Sequence, residues 1–253
     1  LTIEDDNKAL HLLESISYYR LSGYWYPMLD EPKSDHHFKA DSTFDNAFKL
    51  YCFDRELRKL IAAELEKIEV AIRAKMIHVL SEVHGPYWFV NQHLFRNNDK
   101  HRRTVLKFDE GFAKSDEQFI NAFKAKYSNN LPPCWIMLEI TSFGNLSHLY
   151  TNLNPSRQKR AIANYFGLDD STFQSWLHSI VYVRNVCAHH TRLWNRVMSI
   201  TPRIPLNPRE TFLDNTDAGY IVNNKPFFLL SMIVYLLNVV NPKHTFKRRV
   251  KLL

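Results

Sequence analysis

Residues 53–85 read FDRELRKLIAAELEKIEVAIRAKMIHVLSEVHG. Phe53, Leu57, Leu60, Ile61, Leu65, Ile68, Ile72, Met76 and Val79 recur at steps of three and four, the period of one face of an α-helix. Ser42-Thr43-Phe44-Asp45 offers a cap upstream and Gly85-Pro86 a stop downstream. The spacing therefore predicts one long amphipathic helix, or two nearly continuous ones, from near Ser42 to Gly85.

Further helices follow on both sides. A polar break at 97–100 precedes a weaker helical stretch ending near Tyr127, and Ser128-Asn-Asn-Leu-Pro-Pro is a loop. Another helix is expected from Cys134 to about Leu153, then a basic turn from Pro155 to Arg160. Asp169, Asp170 and Ser171 cap a helix carrying Phe173, Trp176, Leu177 and Ile180, which runs on through Arg184. Prolines 202, 205 and 208 forbid helix, and the apolar run Phe227–Val240 closes the chain's core. Apart from short ambiguous pieces near Tyr220, no strand alternation appears. The expectation is a single all-α domain: a helical cap at 1–41, a helical core at 42–201, and a proline-rich connection with a closing helix at 202–253.

Composition agrees. The 253 residues include 6 glycines, about 2% against an average near 7%. Tight hairpins and phosphate-cradling loops need positive φ, so a β-sandwich, a barrel or a P-loop enzyme is disfavoured, and neither GxGxxG nor GxxxxGK[ST] occurs. Cys52, Cys134 and Cys187 are odd in number and lack a CxxC pair, which argues against a disulfide framework or zinc knuckle and fits a reducing cytoplasm. The opening LTIEDDNKALHLLESI lacks the apolar centre of a secretory signal, though it starts without Met. The 14-residue run 227–240 is too short to span a bilayer, so no membrane partner is expected. A net charge of +7 favours a polyanionic partner.

The densest chemistry lies in Arg184-Asn-Val-Cys-Ala-His-His190, continuing to Arg196. On a helix carried through 182–197, Tyr182, Val186, Leu193 and Val197 form an apolar stripe with His190 on its edge. Asn185, His189, Arg192 and Arg196 then share another face, joining a proton-transfer group to two permanent cations, a set suited to a phosphodiester. Arg184 and His189 diverge by about 140° on an ideal helix, so they flank a substrate, converge through a distortion, or meet across a second subunit. His190 reads as the structural member. The same Arg–His pattern recurs at Arg73/His78 and Arg96/His101, where a packing helix and a polar loop explain it equally well. Glu66, Glu69 and Arg73 form a polar stripe that either makes an ordinary helix ion pair or supports Arg184 and His189 from behind. Tyr18-Tyr-Arg20 through Trp25 suits base stacking with a phosphate contact, and equally an aromatic cap on the core. Arg157, Lys159 and Arg160 in the basic turn are further candidates for phosphate contact. No metal ligand set accompanies the two histidines.

YYRLSGYWYPM (18–28), FDRELR (53–58), EKIEVAIRA (66–74), PPCWIMLEITSFGNLSHLY (132–150), YFG (165–167) and RNVCAHHTRLWN (184–195) together resemble the Abi-like proteins of bacterial abortive infection, the AbiD/AbiF group. That family is similar to the HEPN superfamily of helical bundles with an Arg-x4–6-His motif, which Arg184, Asn185 and His189 match and whose spacing His190 also fits. The resemblance implies a HEPN-like bundle with peripheral helices acting in phage defence or as a toxin. The implied activity is that of a metal-independent, cofactor-free endoribonuclease, usually dimeric. Cleavage by the ribose 2′-hydroxyl would leave a 2′,3′-cyclic phosphate. The family also contains non-catalytic members, so the competing expectation is a module that holds a structured or cognate non-coding RNA. A protein-only regulatory bundle is the third reading, favoured if Arg184 is buried in an ion pair.

Overall fold

In the computed structural model, which describes residues 1–213 and 222–253, the long periodic segment is one 41-residue helix, α3 (Phe44–His84). Thr43 Oγ1 accepts from the amide of Asn46, satisfying one of the orphan donors of the first turn. The helix stops at Gly85, whose φ of 75° and fully extended ψ are open to glycine and costly for other residues. Leu57, Leu60, Ile61, Leu65, Ile68, Ile72, Met76 and Leu80 are buried along one face and form the spine of the main core.

Around this spine lie α1 (Asp6–Ile16), α2 (Tyr18–Trp25), α4 (Asn98–Lys114), α5 (Gln118–Lys126), α6 (Cys134–Met137), α7 (Phe143–Asn152), α8 (Arg157–Tyr165), α9 (Asp170–Ala188), α10 (Pro226–Val240) and α11 (Phe246–Lys251). No strand occurs among the described residues, only three isolated bridges, so the fold is all-α as expected. The strand-like pieces near Tyr220 lie outside the described residues.

Helices α8, α9 and α10 pack on α3, and α7 packs on α9. Helix α10 buries Phe228, Leu229, Met232, Ile233, Tyr235, Leu236 and Leu237, the behaviour of a core helix. Tyr235 donates to the Gly167 carbonyl at 2.9 Å, and a Cβ on Gly167 would come within 2.6 Å of that hydroxyl. Among the described residues no helix is long and apolar enough to cross a membrane.

Two expected helices are broken. The stretch to Tyr127 divides at residues 115–117, and the stretch from Cys134 divides after one turn, where the amides of Glu139 and Thr141 bond three residues back and Ser142 caps α7 through the Asn145 amide. The basic tail after α10 is helical from Phe246, which is buried against α3.

A smaller core of Ala9, Leu21, Tyr24, Trp25, Phe44 and Ala47 holds α1 and α2 on the first turns of α3, with Trp194 packed against it. One buried carboxylate joins the two cores. Asp54 on α3 is fully buried and accepts from the Tyr24 hydroxyl (2.6 Å), the Trp194 amide (2.7 Å), the Leu193 amide (3.2 Å) and the Arg58 guanidinium one turn along. Burial, together with the adjacent Asp54 charge, pushes the Tyr24 phenol far above its ordinary value, so it remains a donor.

Asp54→Ala strands Arg58 in the interior, and unfolding in urea should show a loss of about 3–5 kcal/mol. Asp54→Ala/Arg58→Met should lose less than that single change. At the start of α9, Asp169 accepts from the amides and hydroxyls of Ser171 and Thr172 at 2.6–3.0 Å. Partial burial raises its pKa, but these four bonds outweigh it and hold the carboxyl down at about 2. Asp169→Ala should cost about 0.5–2 kcal/mol at neutral pH. The carboxyl is depressed in the folded state, so the wild-type advantage should be full above about pH 4 and vanish as pH falls towards 2.

Candidate functional site

Helix α9 ends at Ala188, and the backbone then reverses. The His190 amide donates to the Cys187 carbonyl and the Thr191 amide to the Val186 carbonyl, both at 3.1 Å, while His190 takes a left-handed φ of 56°. This is the Schellman closure, with histidine in the position glycine usually fills. The helix expected across 182–197 is therefore corrected. Beyond Ala188 the wheel does not apply, and Val197 of the supposed apolar stripe is exposed.

The reversal has identifiable causes. Asp54 captures the amides of Leu193 and Trp194, and Arg20 donates to the His190 carbonyl at 2.6 Å. Arg192 donates to the Gly23 carbonyl, and Arg196 donates to the Arg192 carbonyl at 3.1 Å beside the Tyr182 ring. Both arginines are half-buried and tie the loop to the protein instead of projecting beside His189.

The consequence is a cleft of about 530 Å³ between α2, α3 and the end of α9. Arg20, Arg55, Arg58, Lys59, Arg184 and His190 line it, with Tyr51 and the carboxylates of Glu66 and Glu69. The placement of the two histidines differs from the wheel. His190, expected beneath the core, is exposed and faces the cleft with Arg184, whereas His189 is exposed but does not line it.

Arg184 is 40% exposed at its side chain, so it is not buried in an ion pair. Its Nε lies 3.9 Å from Glu69 and its Nη1 donates to Asn185 Oδ1 at 3.3 Å. Glu69 in turn accepts from buried Arg73 at 2.9 Å, and Arg73 also reaches the Thr141 carbonyl and Glu139. The stripe foreseen on α3 thus connects directly to Arg184. Burial lifts the Glu69 carboxyl above its ordinary value against the pull of Arg73 and Arg184, and the Glu66 charge adds to the lift. Glu66 is exposed and makes no ion pair or side-chain hydrogen bond among the described residues.

Cys187 also lines the cleft, but burial pushes its thiol up to about 12, so it is not a nucleophile at neutral pH. No group of three or more His, Cys, Asp and Glu side chains is placed to hold a metal ion among the described residues.

Other candidates lie elsewhere. Lys159 is 1% exposed, its ammonium taken by the Thr151 and Leu153 carbonyls and by Asp170, so it is corrected from phosphate contact to interior support. Burial lowers its pKa, as expected for an enclosed ammonium. Arg157 and Arg160 are exposed on the first turn of α8 and do not line the cleft. In the two spare Arg–His matches, Arg73 is enclosed in its ion-pair network while His78 is exposed, and Arg96 donates to the Thr151 carbonyl while His101 is buried against Phe95 with its ring bonded to the Phe89 carbonyl.

Sequence reasoning missed Asp54 and Arg58, which hold the loop, and Arg55, Lys59 and Tyr51, which line the cleft. An aspartate four residues before an arginine, inside the apolar period of α3, was the available signal.

The Abi-like protein family model matches residues 11–195, about three quarters of the chain and all of the cleft-lining residues. No curated protein and no solved structure gives a significant match. The chain belongs to the Abi-like protein family, and that membership points to abortive infection, a form of phage defence.

Proposed function

We propose that the protein is a metal-independent endoribonuclease of the HEPN type, acting on RNA in the bacterial cytoplasm as an abortive-infection effector. The observation that carries this reading is that Arg184 and His190 line one cationic cleft with Arg20, Arg55 and Lys59. In the proposed reaction the ribose 2′-hydroxyl attacks the adjacent phosphorus, the 5′-oxygen leaves, and a 2′,3′-cyclic phosphate remains. Arg184 neutralises charge growing on the phosphoryl oxygens, the electrostatic contribution that usually dominates such sites. Asn185, bonded to Arg184, fixes the guanidinium. His190 moves a proton, and Glu69 with Arg73 orients Arg184 from behind.

In-line transfer needs one group to take a proton and one to give it. The left-handed turn at His190 brings histidine and arginine to the same cleft within one chain, which removes the need for a partner to unite them. A second copy facing the cleft with its own His190 supplies the second proton-transfer group, and a homodimer is part of the proposal for that reason.

Incubation with total and transfer RNA in EDTA should yield 2′,3′-cyclic phosphate and 5′-hydroxyl ends. His190→Ala should cut the rate by about 10²- to 10⁴-fold with RNA affinity and unfolding midpoint near wild type, while His189→Ala retains most activity. The reverse ranking returns the role to His189. Binding without cleavage in the wild type supports a module that only holds RNA. Affinity should fall with salt at a log–log slope near −3, about −0.7 for each of four phosphate contacts, and Arg55→Ala or Lys59→Ala should each flatten it by one contact. A salt-independent affinity removes RNA from the partners.

A further inference from the structure

Tyr51, Arg55, Lys59, Ala62, Glu66 and Glu69 follow one another along α3 at steps of three and four, and all line the cleft. The face is polarised. Its N-terminal part carries an aromatic ring and two cations, and its C-terminal part carries two carboxylates. Arg55 and Glu66 are separated by eleven residues, about 16 Å of helix at 1.5 Å per residue, so the two ends contact different parts of a ligand.

The two carboxylates are not equivalent. Glu69 is committed to Arg73 and Arg184. Glu66 is exposed to the cleft and has no partner among the described residues. A free carboxylate repels phosphate, so in a cleft that receives an RNA backbone it contributes only where it meets hydrogen-bond donors. An ionised carboxylate only accepts, with two oxygens side by side.

Among the four bases, guanine alone presents two adjacent donors on its Watson–Crick edge, N1–H and the 2-amino group. Adenine and cytosine set one amino group beside a ring acceptor that the carboxylate repels, and uracil sets one N–H between two carbonyls. Single-stranded RNA is read through these edges. We propose that Glu66 makes the cleft selective for guanine in single-stranded RNA, pairing its two oxygens with N1–H and the 2-amino group while Arg55 and Lys59 hold the backbone. This proposal rests on the ribonuclease reading and adds to it the base that is recognised.

The test uses fluorescent single-stranded RNA oligonucleotides that share one adenine-rich context and differ at one central position. That position is guanine, inosine (which lacks the 2-amino group), adenine or uracil. Dissociation constants and cleavage products are measured for the wild-type chain, Glu66→Gln and Glu66→Ala, with melting temperatures confirming that each variant folds. The wild type should favour guanine over adenine and uracil by about 10- to 100-fold, the discrimination of one good bidentate contact. Inosine should fall between them. In Glu66→Gln, which offers one donor and one acceptor, guanine affinity should drop to the adenine level. Binding with no base preference, a guanine preference that survives Glu66→Gln, or an equal loss on all four oligonucleotides each overturns the proposal while leaving RNA as substrate. Failure to bind any of them overturns the ribonuclease reading as well.

Discussion

The buried carboxylate of Asp54 is the constraint on which the site depends. It accepts from a phenol on α2, a guanidinium on its own helix and two amides of the loop after α9. A carboxylate removed from water is tolerated only with its oxygens well supplied with donors, and Asp54 draws them from three segments far apart in sequence. The interaction is a geometric fastener more than a source of net stability, since buried ion pairs barely offset their desolvation. What it fixes is the path of residues 189–194, and that path decides which histidine faces the cleft.

Helix α3 serves two purposes at once. Its apolar face is the spine of the main core, and the strip beside it is the floor of the cleft. Arg184 lies beside that floor 3.9 Å from Glu69, itself bonded to Arg73, so the nearest carboxylate to Arg184 comes from 115 positions away in sequence. Arg55 and Lys59 lie towards the N-terminus of the strip and Glu66 and Glu69 further along, with Arg184 beside Glu69.

Much of the fold was legible because it rests on local signals. The long helix showed its period, its threonine cap and its terminal glycine; α9 showed Asp169, and α10 its unbroken apolar run. The stop after Ala188 was not legible, because no glycine or proline marks it. Its causes are Asp54 and Arg20, 139 and 170 positions distant from their partners in the loop. A wheel drawn across that point placed Arg192, Arg196 and His189 on one face that does not exist. Lys159 failed for a related reason. Its charge reads as surface in a basic turn, whereas the carbonyls that enclose it belong to the C-terminal end of α7.

The wide sequence separation of these fastenings also bears on how the protein is made. A ribosome releases α1 to α3 ahead of the helices that follow them, and they already possess their small shared core. The cleft has no far wall until residues 184–190 have emerged, and no latch until Leu193 and Trp194 reach Asp54. Every earlier nascent length, and every fragment that stops before the latch, therefore carries the α3 strip without the enclosed cavity. The enclosed cavity arises only once Trp194 has emerged.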